Sequence, residues 1–302
     1  MDYVIGTSIL NLFIALGLSP LFEGVARKLR ATIHSRIGPP VIQPYYDLLK
    51  LLGKEDIQSS GNYLARMTPW VCFGAIATAA LLIPMGTINA PLGAFGDSIL
   101  FIYIITLVAV TLIITATASE NPFAFVGASR EMMMHLTVEP VMVITLITAA
   151  IKAHSFSISD MVNWYYFNGP SLSMIVAAIF LFLALQAQIG KLPFDIAEAE
   201  QEVMGGPFIE QSGPQYALLR WMVMAKQVIF ASLFVQVFIP WPRTGILFWD
   251  VLIHLVKVLL LVIIIGLIDV VNPRLRIDQS IKYYLILAFF SLGGIAFAAI
   301  GA

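Results

Sequence analysis

One short stretch of this chain carries a dense group of carboxylates. Residues 191–210 read KLPFDIAEAEQEVMGGPFIE and hold five of the 18 acidic residues. These are Asp195, Glu198, Glu200, Glu202 and Glu210. The stretch directly follows residues 161–190, which carry no charge. A cluster of acids is therefore expected at the mouth of an apolar region.

The spacing of these acids suggests proton chemistry. If residues 197–203 are helical, Asp195, Glu198 and Glu202 share one face at i, i+3 and i+7, while Glu200 points elsewhere. Like charges this close disfavour simultaneous ionisation, so we expect at least one proton to be shared or held at a raised pKa. The alternative is a solvated loop whose acids only keep it in water.

A second set of ionisable residues lies farther from the loop. Glu131, His135 and Glu139 are spaced i, i+4 and i+8 and so line one helix face. An ionised side chain deep in hydrocarbon costs roughly 2.5 kcal/mol or more, so such residues normally face protein or a water-filled cavity. The three residues predict a proton path, unless the first two lie at the interface and only Glu139 is buried.

Asp250, His254 and Lys257 form a third stripe at i, i+4 and i+7. Lys257 lies near the middle of an apolar run, where its ammonium group cannot easily reach water. It could pair with a buried acid such as Glu139 and take part in ion movement. A buried salt bridge that only fixes helix register is the alternative, and His254 could be an ordinary helix-packing histidine.

The composition places these groups in a membrane protein. Hydrophobic residues make up 59%, charged residues 12%, and the mean hydropathy is +0.89, against roughly half apolar and a quarter charged in soluble domains. The single cysteine, Cys72, excludes an intrachain disulfide and an iron–sulfur cluster held by this chain alone. We therefore expect no metal or cofactor in this chain. The N-terminal apolar stretch lacks a basic region and a cleavage site, so it is interpreted as a retained span.

Eight apolar runs are long enough to cross about 30 Å of hydrocarbon as helices. They are residues 3–22, 69–86, 98–119, 132–151, 171–189, 217–240, 246–268 and 283–300. With no internal repeat or linker, the chain is predicted to be an all-α membrane protein with one polytopic domain, residues 1–302.

The basic residues predict the orientation. All except Lys152, Arg243 and the intrahelical Lys226 and Lys257 lie on the side of the first, third, fifth and seventh loops. The positive-inside rule places that side in the cytoplasm and both termini outside. Because the same side carries most of the carboxylates, it suits protein docking better than simple attraction to lipid.

The first of these loops, residues 23–66, is too long for a simple connector. Residues 36–40, RIGPP, force an extended turn. Residues 41–52 then predict a short amphipathic helix, because Tyr45, Leu48, Leu49 and Leu52 recur at helical spacing. It could lie at the membrane interface or be an ordinary surface helix.

Several of these motifs resemble the heel subunit (subunit 1) of respiratory complex I. Residues 36–56 are similar to its first loop, residues 193–202 to its acidic loop, and residues 274–279, RLRIDQ, to its last cytoplasmic loop. Residues 127–140, which begin GASRE and end at Glu139-Pro140, match as well. The similarity spans essentially the full length and the eight-helix plan.

One departure points to a branch of this superfamily. The complex I subunit has Asn-Arg-Ala before its Pro-Phe-Asp, whereas this chain has Gly190-Lys191-Leu192. That variant resembles the membrane subunit of membrane-bound nickel–iron hydrogenases, including formate hydrogenlyase, energy-converting and archaeal respiratory hydrogenases. The resemblance implies a prokaryotic plasma-membrane subunit that anchors a peripheral redox module and links electron transfer to proton or sodium translocation.

The resemblance also assigns roles and partners. It implies coupling or proton transfer for the acids of residues 191–210 and for Glu131 and Glu139. It implies an interface with peripheral subunits at Arg36, Asp47, Lys50, Lys191, Arg274, Arg276 and Asp278. The implied partners are hydrogenase-like large and small subunits, a ferredoxin-like iron–sulfur subunit and antiporter-like membrane subunits, with the iron–sulfur clusters and the nickel–iron centre held by partners and no nucleic acid involved.

Other functions stay open on sequence alone. A quinone-binding heel subunit would hold quinone between the first helices, and a sulfur-reducing complex could use the same type of subunit. A stand-alone secondary transporter would usually have an internal repeat, which the sequence lacks. A purely structural anchor would tolerate replacement of its carboxylates.

Overall fold

The computed structural model describes residues 2–57, 62–86, 89–93 and 95–301. In this part of the chain, eight helical segments are long and apolar enough to cross a membrane, which confirms the predicted all-α bundle. They are Val4–Ile33, Tyr63–Leu82, Ser98–Ala118, Pro122–Ala153, Leu172–Ile189, Gly213–Phe238, Leu247–Val271 and Ile277–Ile300. Residues 58–61 of the long first loop lie outside the described residues.

The helices are numbered in chain order. They are α1 Asp2–Leu12, α2 Ser19–Ile33, α3 Gln43–Leu52, α4 Tyr63–Leu82, α5 Ser98–Ala118, α6 Pro122–Ala153, α7 Ile158–Asn168, α8 Leu172–Ile189, α9 Glu200–Val203, α10 Gly213–Phe238, α11 Leu247–Val271 and α12 Ile277–Ile300. A π-helical turn, Phe13–Gly17, joins α1 to α2, and a 3₁₀ turn, Gly206–Phe208, follows α9.

Two spans extend beyond their apolar runs. The first continues to Ile33 through a charged segment, and the fourth begins at Pro122 rather than near residue 132. Three of the four charged side chains of α2, those of Glu23, Arg27 and Arg30, line a cleft, so the helix can continue without turning them towards lipid. Hydropathy alone could not reveal this, because it does not record which way a side chain points.

The central helix of the bundle is α10. It contacts α2, α3, α4, α7, α8 and α11, and its residues from Met224 to Phe238 are all buried. A polar side chain in this part of α10 therefore faces protein rather than lipid. Lys226 is such a residue and is only 6% exposed.

The predicted amphipathic helix in the first loop is confirmed as α3. Leu48 is buried against Ala217 and Met224 of α10, while Tyr46 and Leu49 are exposed. The hydroxyl group of Tyr45 donates a hydrogen bond to the carbonyl oxygen of Gly17 in the π-helical turn, at 2.5 Å. Helix α3 is thereby held beneath the bundle.

The loops meet at two ends of the bundle. The end that we call the charged end contains residues 34–57, 119–121, 190–212 and 272–276. Ion pairs and hydrogen bonds join these segments to one another and to nearby helices. The opposite end contains residues 239–246 and α7, a helix absent from the sequence prediction. There the indole N–H of Trp241 donates to the carbonyl of Tyr166 at 3.1 Å.

Candidate functional site

The acidic loop, residues 191–210, leaves α8 through a glycine. Gly190 has φ 70°, a left-handed conformation that glycine adopts at low cost. Four residues later Phe194 is buried, with its ring 5.7 Å from that of Tyr283 and 4.9 Å from that of Tyr284. Phe194 therefore fixes the first part of the loop against α12 and sets the position of the adjacent Asp195.

Close backbone packing fixes the later part of the loop. A Cβ atom on Gly127 of α6 would lie 2.6 Å from the Cα atom of Gly206, and one on Gly206 would lie 2.1 Å from the carbonyl oxygen of Ala197. No side chain fits at such distances. The loop thus rests directly on the backbone of α6 near its start.

The helix considered over residues 197–203, on which a shared face for three acids depended, forms only in part. Only Glu200–Val203 is helical, and residues 197–199 have irregular backbone. Ala197 and Ala199 are buried, and the Ala197 carbonyl faces Gly206 instead of a helical N–H group. Tertiary packing thereby overrides the local preference of this alanine- and glutamate-rich segment for helix.

As a result, the acids separate towards partners on different segments rather than sharing a face. The contacts are Asp195 with Arg274 at 3.1 Å, Glu198 with Arg220 at 3.9 Å, Glu202 with Arg130 at 2.5 Å, and Glu210 with the side-chain amide of Asn121. Glu200 is exposed. The loop is tied to α6, α10 and the segment before α12.

Two further contacts anchor the start of the loop. Lys191 pairs with Glu23 of α2 at 2.9 Å. The N–H group of Leu192 donates to Asp269 of α11 at 3.0 Å, and the same carboxylate pairs with Arg30. Asp269 is 4% exposed and links three separate segments at the charged end.

The acids differ in their affinity for protons. The pKa of Glu198 is raised to about 7: burial and the nearby charges of Asp195 and Glu131 raise it, and the charges of Arg220 and Lys191 oppose them. Burial also raises the pKa of Asp195 against the opposing effect of Arg274. The hydrogen bond from Arg130 lowers the pKa of Glu202. Glu198 thus changes charge near neutral pH.

A small cavity lies behind the loop, inside the bundle. It has a volume of about 30 Å³, enough for about one water molecule. Its polar lining comprises Glu131, His135, Gln188, Asp195, Glu198 and Lys226. The cavity therefore brings the acidic loop together with one part of the predicted path on α6.

The residues of that predicted path are divided between two surroundings. Glu131 and His135 contact each other, with 3.2 Å between a carboxylate oxygen and Nε2. Glu139 instead accepts a hydrogen bond from the hydroxyl group of Thr106 on α5. The first two residues line the cavity, whereas Glu139 lies deeper along α6 and faces a neighbouring helix.

A much larger cleft lies on the other side of the loop. It has a volume of about 1270 Å³ and opens at the charged end. Four of the residues expected at a partner interface line it, namely Asp47, Lys50, Lys191 and Arg274. The others, Arg36, Arg276 and Asp278, are exposed or partly exposed outside it, and the last two form a pair at 3.5 Å. Glu198 lines both the cleft and the small cavity.

The third stripe lies at the opposite end and has local partners. Lys257 donates to the carbonyl of Ile239, the residue after α10, at 2.9 Å. His254 contacts Gln236 at 3.1 Å and Ser232 at 3.2 Å, and Asp250 accepts hydrogen bonds from the turn before α11. With Lys257 and Glu139 each bonded elsewhere, the expected contact between them is absent from the described part of the chain. The geometry favours a role in joining α10 to α11.

Sequence reasoning assigned no role to Lys226, Gln188, Arg220 or Asp269. Lys226 and Asp269 could have been noticed as isolated charges within apolar helices. Gln188 and Arg220 gave no comparable signal, because their importance comes from contacts between segments distant in sequence. Among the described residues, no group of three or more His, Cys, Asp or Glu side chains has the arrangement of a metal site.

Known proteins resemble this chain over nearly its whole length. Residues 5–299 match the family described as NADH dehydrogenase. The chain is 34% identical to formate hydrogenlyase subunit 4 of Escherichia coli (strain K12), with 94% of this chain and 97% of the relative covered. It is 33% identical to hydrogenase-4 component C of the same organism, with 97% and 95% covered.

A solved structure is similar as well. It is described as the membrane-bound sulfane sulfur reductase, an archaeal respiratory membrane complex. The matching chain is 28% identical and superposes with a TM-score of 0.87, covering 98% of this chain and 99% of that one. The similarity thus extends to the arrangement of the helices.

Proposed function

The chain belongs to the NADH dehydrogenase family, and on that premise we propose that it is the membrane subunit of a hydrogenase complex related to respiratory complex I. In this role it anchors a peripheral redox module at its charged end and links electron transfer there to proton or sodium translocation. The position of Glu198 carries the proposal. This carboxyl group, which titrates near neutral pH, lies between a wide surface cleft and a cavity inside the membrane bundle.

The cleft supports docking of a protein partner. Its lining mixes cations and carboxylates around the acidic loop, and complementary charges of this kind fix the register of a protein interface. Its many charged side chains also fit a quinone ring less well than a protein surface, since pockets for small organic ligands are mostly apolar. Hydrogenase-like large and small subunits and a ferredoxin-like subunit are the proposed occupants.

The proposed coupling between electron transfer and ion translocation is electrostatic. An extra electron on a cluster in the docked partner raises the pKa values of nearby carboxyl groups, and Glu198 responds because its pKa already lies near neutral pH. Proton uptake at Glu198 weakens its attraction to Arg220 and biases the position of the loop. The proton then has a route past the loop towards Glu131 and His135, and from there towards Glu139 and neighbouring antiporter-like membrane subunits.

In the proposed complex, this chain holds no redox group of its own. Its partners supply the iron–sulfur clusters and the nickel–iron centre. We propose that the charged end faces the cytoplasm of a prokaryotic cell and that both termini lie outside, because the basic residues concentrate at that end.

A sulfur-reducing complex is the second candidate. The similar solved chain comes from a sulfane sulfur reductase and superposes over its full length. The same subunit geometry would then serve a different peripheral enzyme. A quinone-binding heel subunit is a weaker alternative, because of the charged lining of the cleft.

Co-purification distinguishes these candidates. The complex is isolated from native membranes through a tag on this subunit, and its partners are assayed for nickel, iron and hydrogen evolution. Nickel together with hydrogen evolution is the expected result. Iron–sulfur protein with sulfur reduction but without nickel would replace the hydrogenase assignment with the second candidate, and purification of the chain alone would contradict both.

A further inference from the structure

We propose that Lys226 and one bound water molecule form a relay centre that passes a proton between the acids Glu198 and Glu131. The proposal rests on the coupling role described above and goes beyond it, because it assigns a positioning residue and a water site inside the bundle. Lys226 acts through its charge on the two carboxyl groups and does not itself carry the transferred proton.

The surroundings of Lys226 call for a functional explanation. It lies in the central helix α10 and is 6% exposed. An ammonium group at such a position is costly unless negative charges compensate it. The charges that act on it are those of Glu131 and Glu198, and the Cys72 thiol also lies nearby. Neither carboxylate lies within 4.0 Å in the described structure, so the three groups face one another across the cavity.

Unpartnered polar atoms mark the site of the water molecule. Both side-chain amide atoms of Gln188 and the Oδ1 atom of Asp195 are buried and have no hydrogen-bond partner. Both residues line the same cavity of about 30 Å³. Buried polar groups in proteins are nearly always hydrogen-bonded, and a cavity of this size with two to four polar partners holds a water molecule. A water there lies within the space shared by Glu198 and Glu131.

The cations around the two acids have different partners. Arg220 pairs with Glu198 at 3.9 Å, and Asp195 is paired with Arg274. Lys191, whose charge also acts on Glu198, pairs with Glu23, and His135 contacts Glu131 from the next turn of α6. Of these lysine and arginine side chains, Lys226 is the one placed in the cavity between the two acids, where its charge favours the ionised form of whichever acid has released the proton.

The transfer step is balanced. The carboxyl O–H of Glu198 gives its proton to the water oxygen, and the water gives a different proton to the carboxylate of Glu131. Glu198 becomes the carboxylate, Glu131 becomes the neutral acid, and Lys226 remains an ammonium ion throughout. The net charge of the centre is unchanged, so the step avoids creating a new buried charge.

Replacement of Lys226 tests this centre in the intact complex. Lys226→Met, Lys226→Arg and the matched control Lys257→Met are compared with the unchanged complex in proteoliposomes, with the number of ions translocated per hydrogen as the readout. Lys257 suits as a control because it is the other intrahelical lysine and bonds to a carbonyl at the opposite end. We expect Lys226→Met to lower the ratio at least about tenfold and Lys226→Arg to retain most of it.

The pH profile separates this role from a structural one. Loss of the positive charge raises the pKa of Glu198, so the midpoint of coupled translocation moves to higher pH in Lys226→Met and stays in place in Lys257→Met. An unchanged ratio and midpoint in Lys226→Met, or an equal loss in Lys257→Met, would overturn the proposal. If Lys226→Met does not assemble, Gln188→Leu is the deciding variant: slower coupled translocation with a larger solvent isotope effect supports the water site, and unchanged kinetics reject it.

These outcomes differ from failure of the proposed function. If the unchanged complex translocates no ions, the coupling role itself is wrong. If the unchanged complex translocates ions and Lys226→Met does so equally well, only the relay centre is wrong.

Discussion

Replacement of Glu198 by glutamine tests the coupling role of the acidic loop. The rise in its pKa from 4.5 to about 7 corresponds to about 3 kcal/mol in favour of the neutral acid. Near pH 7 about half of the molecules then hold this proton, whereas an unperturbed glutamate would hold it in about one molecule in 300. The group is protonated below this pH and ionised above it.

Reduction of a cluster in the docked partner shifts the protonation of Glu198. A unit negative charge about 10 Å away, at an effective dielectric constant of about 20, contributes about 1.7 kcal/mol. This raises the pKa by roughly one further unit and increases the protonated fraction from about half to about nine-tenths. One electron on a partner cluster is therefore enough to load the site.

Glu198→Gln keeps the shape of the side chain but cannot titrate. Arg220 keeps its contacts with the Tyr216 hydroxyl at 2.7 Å and with the Phe208 ring, so the loop should stay in place. In proteoliposomes we expect hydrogen evolution to continue while ion translocation falls at least about tenfold and loses its midpoint near pH 7. Glu200→Gln is the matched control, because Glu200 belongs to the same loop and is exposed. Equal translocation in the Glu198→Gln and unchanged complexes would refute this reasoning.

Three other predictions follow from the same geometry. Gly127→Ala should lower the stability of the folded complex by about 1–3 kcal/mol, since its Cβ would lie 2.6 Å from the Cα atom of Gly206. Gly74→Ala is the control, because the space around Gly74 is open. Thermal denaturation of the purified complexes compares the two variants, and equal midpoints would contradict the packing argument. In a Cys72→Ala background, a membrane-impermeant maleimide should label Asn168→Cys in intact cells and Arg36→Cys only after the cells are opened; the reverse pattern would invert the proposed orientation. Glu139→Gln should reduce ion translocation more than hydrogen evolution, because Glu139 is the deepest acid on α6, and unchanged translocation would remove it from the path.

The fold was largely predictable from the sequence because the bilayer sets the length and the apolar character of each spanning helix. Apolar runs identified all eight spans, and the spacing of Tyr45, Leu48, Leu49 and Leu52 identified α3. The extension of the first span to Ile33 was missed, because most of its charged residues line a cleft that the sequence does not reveal. Helix α7 was missed because residues 158–168 are neither long enough to span nor strongly periodic.

The site was predictable in composition but not in geometry. The cluster of acids pointed to residues 191–210, yet residues 197–199, which would have to be helical for the acids to share a face, are irregular. The loop is instead packed against Gly127 and held by Phe194. The partner of each acid comes from a distant segment, such as Arg274 for Asp195 or Arg220 for Glu198. Local spacing carries no information about such pairs, and for the same reason the contact expected between Lys257 and Glu139 was wrong.

Ion translocation by the native complex is the most direct test of the central claim. The complex isolated through this subunit is placed in proteoliposomes and given a low-potential electron donor, and hydrogen evolution is recorded together with internal pH and sodium. The account predicts a proton or sodium gradient that forms only during electron transfer and collapses with the matching ionophore. Sustained hydrogen evolution without either gradient, in sealed vesicles that hold an imposed one, would contradict it.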